Sequence, residues 1–255
     1  MKKIILLNKK EGETPLEALQ KFRFKNAKYK GIKMTYAGRL DPMASGILLV
    51  LVGEETKNKE KYLKLEKEYE FEILFGFATD TYDILGKVQH SHILKNIGML
   101  LSQKELEKLV KQNLKKFTPK FIQKYPIYSS KTVKGKQLFE YAREGIDVEV
   151  PEREVRVKEL KFLKTRTIKS KSLLQNIQKR VKKVKGDFRQ EEILKIWQKK
   201  LEKRRTEFYI GSFKIRCSSG TYVRGIANAL GERLQIPTLA FSIKRTKIGK
   251  WSKAV

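Results

Sequence analysis

The sequence has one cysteine, Cys217, and two histidines, His90 and His92. A lone cysteine excludes an internal disulfide framework and points to a reducing compartment. One thiol and two imidazoles are too few for a Cys/His zinc site. The His-x-His pair, on a polar loop, reads as solvated rather than ligating. Long apolar runs are also missing. The N-terminal MKKIILLNKK contains too short an apolar stretch for a signal peptide, and no run approaches the length of a membrane span. The expectation is a soluble, cytoplasmic protein that binds no metal.

Positive charge is what the chain has in excess. Lys and Arg number 58 against 28 Asp and Glu, for a net charge of +30 over 255 residues. Such a chain repels itself and attracts polyanions through phosphate neutralisation and counterion release. RNA, DNA and anionic membrane surface are the partners this allows, with nucleic acid favoured. A general lysine bias would give the same count. A hydrophobic fraction of 40% still suffices to fill a core.

Hydrophobic patterning gives a mixture of strands and helices. KIILL near the N-terminus reads as a strand, and Thr14 caps a helix that starts at Pro15. Gly46-ILLVLVG is too apolar to be half-exposed and reads as a buried strand. Residues 54–65 read as a polar helix. In KEYEFEILFG, Tyr69, Phe71, Ile73 and Phe75 alternate onto one strand face. ATDTYDILGKV reads as a polar turn segment. Ser102 caps a helix with Leu106, Leu109, Val110 and Leu114 on one side. Residues 116–136 are irregular, basic and aromatic, and QLFEYAREG is a short helix ending at Gly145. EVRVKELKFLK is a strand, EFYIGSFKIRCSSG a hairpin, TYVRGIANALGERL a helix closed near Gly231, and LAFSIKRTKIG a last strand. Without strict alternation of the two kinds, the expected class is α+β with a mixed, mainly antiparallel sheet, in a single domain over 1–255.

Residues 164–205 stand apart. They carry 16 Lys/Arg against 4 Asp/Glu, which is +12 of the +30. Leu173, Ile177, Val181 and Val184 repeat at helical spacing. After a break at Lys185-Gly186, Asp187 and Gln190 resemble a capping box for a second helix with an Ile193, Trp197 and Leu201 stripe. The expectation is a basic helical hairpin inserted between two strands. Either it grips an RNA backbone, or it is a solvated, partly ordered excursion.

One carboxylate needs an explanation in so basic a chain. Asp41 sits in YAGRLDPMASGILLV, between Leu40 and Pro42 and just ahead of a core run. Asp before Pro is usually a turn former. The phrase GRLDPMASGILLVLVGEETK, however, resembles the catalytic loop of the TruB family of tRNA pseudouridine synthases. EGETPLEALQ, KEYEFEILFGFATDTYDILGKV, YPIYSSKTVKGKQLFEYAREGIDVEVPEREV and CSSGTYVRGIANALGERL resemble further family segments, in family order. The resemblance covers most of the chain except 164–205.

The resemblance implies a pseudouridine synthase fold and the isomerisation of a T-loop uridine of tRNA, uridine 55, to pseudouridine, with no cofactor. Asp41 would be the catalytic carboxylate. Buried, it would tend to hold its proton, and Arg224 would oppose that and orient it bidentately. Tyr69 matches the family tyrosine, placed to stack on an everted base and to take part in proton transfer. Tyr222 would line the pocket, and Ile243 and Arg245 would supply an apolar wall and a basic contact. Residues 116–146 match the RNA-binding thumb, where Lys131, Lys134 and Lys136 interleave with Tyr125 and Tyr128. Such a surface suits a folded T-arm stem-loop read by shape and stacking, and a monomer is expected.

The chain departs from the family pattern at several places. Tyr36 stands where the family usually has His, Arg39 where a small residue is common, and Tyr125-Pro126 where a Pro-Pro pair is usual. The chain is also expected to lack the C-terminal RNA-binding (PUA) domain of many members. Two alternatives remain open at this stage: a pseudouridine synthase with another RNA target, and an RNA-binding or RNA-folding protein without catalysis.

Overall fold

The fold was described from a computed structural model, for residues 2–89, 101–202 and 206–252; His90 and His92 lie outside these. In chain order the elements are β1 (Ile4–Lys9), α1 (Pro15–Lys25), β2 (Met34–Ala37), β3 (Ala44–Val52), α2 (Lys59–Leu63), β4 (Lys67–Phe75), α3 (Gln103–Leu114), β5 (Lys120–Lys124), β6 (Thr132–Val133), β7 (Lys136–Gln137), α4 (Leu138–Glu144), β8 (Glu152–Lys169), α5 (Ser170–Val181), α6 (Gln190–Leu201), β9 (Glu207–Cys217), α7 (Val223–Leu234) and β10 (Thr238–Ile248). The central sheet runs β1-β3-β10-β4-β9-β8-β5, with β2 also paired to β3. Its neighbours are antiparallel except β10 and β3, which are parallel. The class is the expected α+β with a mainly antiparallel sheet.

The apolar run of β3 follows from burial on both faces. Leu48, Val50 and Val52 pack with Ala18 and Leu19 of α1, while Ile47, Leu49 and Leu51 pack with Tyr62 of α2. A strand covered on both sides has no polar face to alternate with. The β4 alternation is reproduced: Tyr69, Phe71, Ile73 and Phe75 enter one core with α3 and α7. Thr14 and Glu17 form a capping box on α1, and Ser102 with Glu105 does the same for α3.

Several expectations change. The polar helix over 54–65 is a 3-10 stretch, Gly53–Asn58, followed by the short α2. The polar turn segment after β4 is largely internal: Thr79, Thr81 and Asp83 are buried. Within 116–136, Lys120–Lys124 forms β5 and pairs with β8. The expected hairpin at 207–220 is one strand. Gly211 pairs with both Ile73 and Thr165, and a Cβ there would lie 2.9 Å from the Phe213 ring, so this glycine serves close packing and not a turn. Helix α7 ends at Leu234 with Gln235 left-handed, three residues past Gly231. Gly231 instead lets the helix approach Thr238, whose Oγ1 would be 2.2 Å from an added Cβ.

The 164–205 segment is not an excursion. β8 continues to Lys169, and α5 and α6 lie against the sheet face opposite α7. Leu173, Ile177, Val181, Ile193, Trp197 and Leu201 are buried there with Leu74, Phe77, Phe208 and Ile210. The Phe77 ring lies 5.0 Å from that of Trp197 and 4.9 Å from that of Phe208. The hairpin therefore completes a core that β4 and β9 would otherwise expose. Its second helix also starts differently. Arg189, left-handed, precedes α6, and the Gln190 amide donates to the carbonyls of Val184 and Gly186.

Candidate active site

Asp41 lies on the loop between β2 and β3, and three groups from elsewhere hold that loop. The Pro42 carbonyl accepts from the Gly12 amide at 2.9 Å and from the buried Lys9 ammonium at 3.4 Å. Arg245, on the neighbouring β10, donates from Nη2 to the Gly38 carbonyl, from Nη1 to that of Arg39, and from Nε to that of Ile47. Gly46 permits this proximity. It has φ +105° and passes so close to β10 that a Cβ would sit 2.2 Å from the Arg245 carbonyl oxygen. The Asp41 backbone is thus fixed by packing on three sides while its side chain stays 37% exposed.

Arg224 comes from the first turn of α7, the helix packed on β10. Its Nε donates to Asp41 Oδ2 at 2.7 Å. Its Nη1 donates to the Thr81 carbonyl at 2.5 Å and its Nη2 to that of Tyr128 at 3.3 Å. Asp83 Oδ2 is 3.7 Å from Nε. The pairing with Asp41 is therefore a single bond and not the bidentate one expected, because two backbone carbonyls take the remaining nitrogens. Burial works against the charge of Arg224, but the Asp41 and Asp83 carboxylates outweigh it and raise its pKa above the usual guanidinium value. Asp83 is itself buried, which pushes its carboxyl up; Arg224 and the Thr81 and Leu85 donors oppose that.

These groups open onto a cavity of about 860 Å³. Tyr36, Arg39, Tyr69, Tyr222 and Ile243 line it with Asp41 and Arg224. Tyr69 is nearly buried, and burial raises its hydroxyl pKa. Tyr222 packs edge-on against Tyr125, with ring centroids 5.7 Å apart. Arg39 donates to Ser130 Oγ at 2.6 Å, joining the Asp41 loop to the 125–131 segment. Arg245 also borders the cavity but is 1% exposed, with all its nitrogens on backbone carbonyls. It braces the loop rather than offering a free basic contact.

Lys131, Lys134 and Lys136 separate. Lys131 lines the cavity, with its ammonium 5.5 Å from the Tyr125 ring centroid. Lys134 sits exposed on the β6–β7 turn, and Lys136 pairs with Glu144. Among the described residues, no group of three or more His, Cys, Asp or Glu is arranged to hold a metal ion.

Other contributors were not singled out in the sequence. Gln123 of β5 is buried and clamps the N-terminus of α7: its Oε1 accepts from the Tyr222 amide and its Nε2 donates to the Tyr222 carbonyl, both at 2.9 Å. Thr81, Asp83 and the Tyr128 carbonyl hold Arg224. Lys67, on the cavity wall, donates to the carbonyls of Leu63 and Leu65, and burial lowers its pKa to about 8. The Lys-x-Tyr pattern was a signal for Lys67; Gln123 had none, since its segment reads as irregular.

Comparison with known proteins bears on this geometry. Residues 23–186 match the model of the TruB family pseudouridylate synthase (N terminal domain). This chain belongs to the TruB family. The tRNA pseudouridine synthase B of Lactobacillus delbrueckii subsp. bulgaricus is 34% identical over 243 residues, 95% of this chain and 67% of that protein. That of Caldicellulosiruptor saccharolyticus is 32% identical over 98% of this chain and 68% of its own length. Among solved structures, a chain of a Cbf5-Nop10-Gar1 complex is similar with a TM-score of 0.56 at 17% identity, over 98% of this chain and 50% of that one. An H/ACA RNP bound to a substrate RNA containing 2′-deoxyuridine gives a TM-score of 0.54. This TruB-family chain thus spans about two thirds of the curated relatives and half of the solved chains, and the latter likeness is one of fold. Asp41 and Arg224, singled out from the sequence, are in direct contact. No helix among the described residues is long and apolar enough to cross a membrane.

Proposed function

We propose that this protein isomerises uridine to pseudouridine in tRNA, acting as a monomer on the T-arm loop at uridine 55. The observation that carries this reading is the Asp41–Arg224 pair at one open cavity, with a carboxylate oxygen held 2.7 Å from a buried guanidinium. The family membership and the relatives named tRNA pseudouridine synthase B agree with it.

The reaction breaks the bond from C1′ of the ribose to N1 of the base, turns the base, and joins C1′ to C5. A proton leaves C5 and N1 gains one, so atoms and charge balance without an oxidant or a group donor. Asp41 serves at the sugar–base junction, as nucleophile toward C1′ or as the charge that stabilises it. Arg224 fixes Oδ2, the oxygen that it contacts, and leaves Oδ1 for the sugar. Tyr69 and Ile243 flank the base, and the Tyr69 hydroxyl, kept protonated by burial, is placed for proton transfer late in the sequence.

The target base must leave its stack, at a cost of a few kcal/mol. Lys131, Arg39 and Tyr36 at the cavity, with the surplus charge of the chain, supply backbone and stacking contacts that offset it. The test is to incubate unmodified tRNA with the protein and map pseudouridine at single-nucleotide resolution. Conversion confined to the T-loop supports the reading; conversion elsewhere moves the substrate; none at all removes the activity.

A further inference from the structure

The loop joining the two inserted helices reaches the same cavity. Phe188 and Arg189, just past the end of the family-model match at residue 186, line it alongside Asp41 and Tyr128. Arg189 carries two contacts there. Its Nη1 is 2.7 Å from Asp80 Oδ2, and its guanidinium lies over the Tyr128 ring at 4.3 Å from the centroid. Asp80 belongs to the segment whose Thr81 carbonyl accepts from Arg224, and Tyr128 supplies the other carbonyl that does so. Arg189 therefore joins the two pieces of backbone that hold the guanidinium of Arg224.

The hairpin is built to place this side chain. At the C-terminal end of α5, beside the tip, Arg180 Nε donates to both carboxylate oxygens of Glu11, and its Nη2 donates to Glu11 and to the Phe241 carbonyl, each at 2.7 Å. Gly12 passes so close that a Cβ would lie 2.6 Å from Lys183 Cβ. At the tip, Arg143 Nη2 of α4 donates to the Asp187 carbonyl at 2.9 Å. Arg189 itself has φ 60°, a left-handed conformation unfavourable for a residue with a side chain. Glycine would serve that backbone better, so the guanidinium is kept against a backbone cost.

We propose that the inserted hairpin is a wall of the substrate cavity, and that Arg189 is a positioning residue which acts through Tyr128 and Asp80 to hold Arg224 toward Asp41. A cation over an aromatic face and a short ion pair are the forces involved, and both are strengthened by partial burial. The hairpin tip thereby sets how firmly the 125–131 segment closes on RNA. This inference rests on the proposed function only for its catalytic readout.

The test uses the full chain with Arg189→Gly, which removes the guanidinium while relieving the left-handed backbone. Turnover on unmodified tRNA should fall about tenfold in kcat, with KM changed by less than about threefold and the melting temperature not lowered. In Tyr128→Ala, adding Arg189→Gly should lower kcat by less than about twofold, because the two changes break one linkage. A variant with unchanged kcat, or losses that multiply in the double variant, overturns the inference. Amide hydrogen exchange over residues 125–131 reads the linkage without catalysis. Exchange should quicken in Arg189→Gly, and unchanged protection overturns the inference even for a protein inactive on tRNA. If the unaltered protein makes no pseudouridine but exchange does quicken, the proposed activity fails and the linkage stands.

Discussion

Arg224 and Asp41 are 183 positions apart in the chain and 2.7 Å apart in the structure. The parallel pairing of β3 with β10 and the packing of α7 on the sheet bring them together, and each is held by backbone groups that the other does not touch. Removing the Asp41 charge should therefore leave the scaffold in place. Asp41→Asn is expected to lower turnover by at least about a thousandfold while tRNA affinity stays within about threefold. Filter binding and single-turnover kinetics on the same preparation check this.

Arg224 behaves differently because it is buried. Arg224→Met leaves the carbonyls of Thr81 and Tyr128 without this donor and the buried Asp83 without its counter-charge. Loss of one partner from a buried charged network costs about 3–5 kcal/mol. Denaturant unfolding should show this loss for Arg224→Met, and little change for Asp41→Asn, whose side chain is partly solvated.

The pH dependence of stability should carry the mark of Lys67. Its pKa is lowered to about 8 in the folded protein from an ordinary value of 10.5. Between these values the unfolded chain binds more protons than the folded one, so stability rises with pH across that window. The cost of the buried charge is fully present below about 8 and is relieved toward 10.5. Relative to Lys67→Met, the unaltered protein should gain on the order of 3 kcal/mol across the window. Its two hydrogen bonds to Leu63 and Leu65 survive deprotonation, since a neutral amine still has two donors. Paired unfolding curves at pH 7.5 and 10.5 measure the difference.

Trp197 tests whether the inserted hairpin is core. Trp197→Ala should cost about 3–5 kcal/mol, the range for deleting a large buried aromatic. A solvated excursion would tolerate the change within about 0.5 kcal/mol. Deleting 164–205 outright would strip Phe77, Phe208 and Ile210 of their cover. Such a variant reports on folding before it reports on RNA binding.

Much of this was legible in the sequence where periodicity or a cap decides a local structure. The β4 alternation, the Thr14 and Ser102 N-caps of α1 and α3, and the stripes of the inserted helices all appear where the pattern puts them. The Asp41 loop and the Thr-Tyr-x-Arg segment were legible as family phrases, and their contact followed. Interactions that depend on a distant partner were not legible. Gly211 reads as a turn residue until two strands are seen pressing on it. Arg245 reads as a free cation until its nitrogens are seen on the loop carbonyls. Thr79, Thr81 and Asp83 read as a polar turn, because nothing local shows that Arg224 arrives from α7 at the Thr81 carbonyl and the Asp83 carboxylate. The hairpin's charge drew attention to RNA, while its apolar stripes, equally present, had no visible partner until β4 and β9 were placed beneath them.

The central claim is that Asp41 acts at a uridine whose C5 must lose its proton. tRNA carrying tritium at C5 of uridine measures this directly, because tritium passes to water only when C5 is joined to the sugar. The account predicts release of one equivalent at the T-loop by the unaltered protein and none by Asp41→Asn bound to the same tRNA. No release by the unaltered protein, or equal release by the variant, would contradict it.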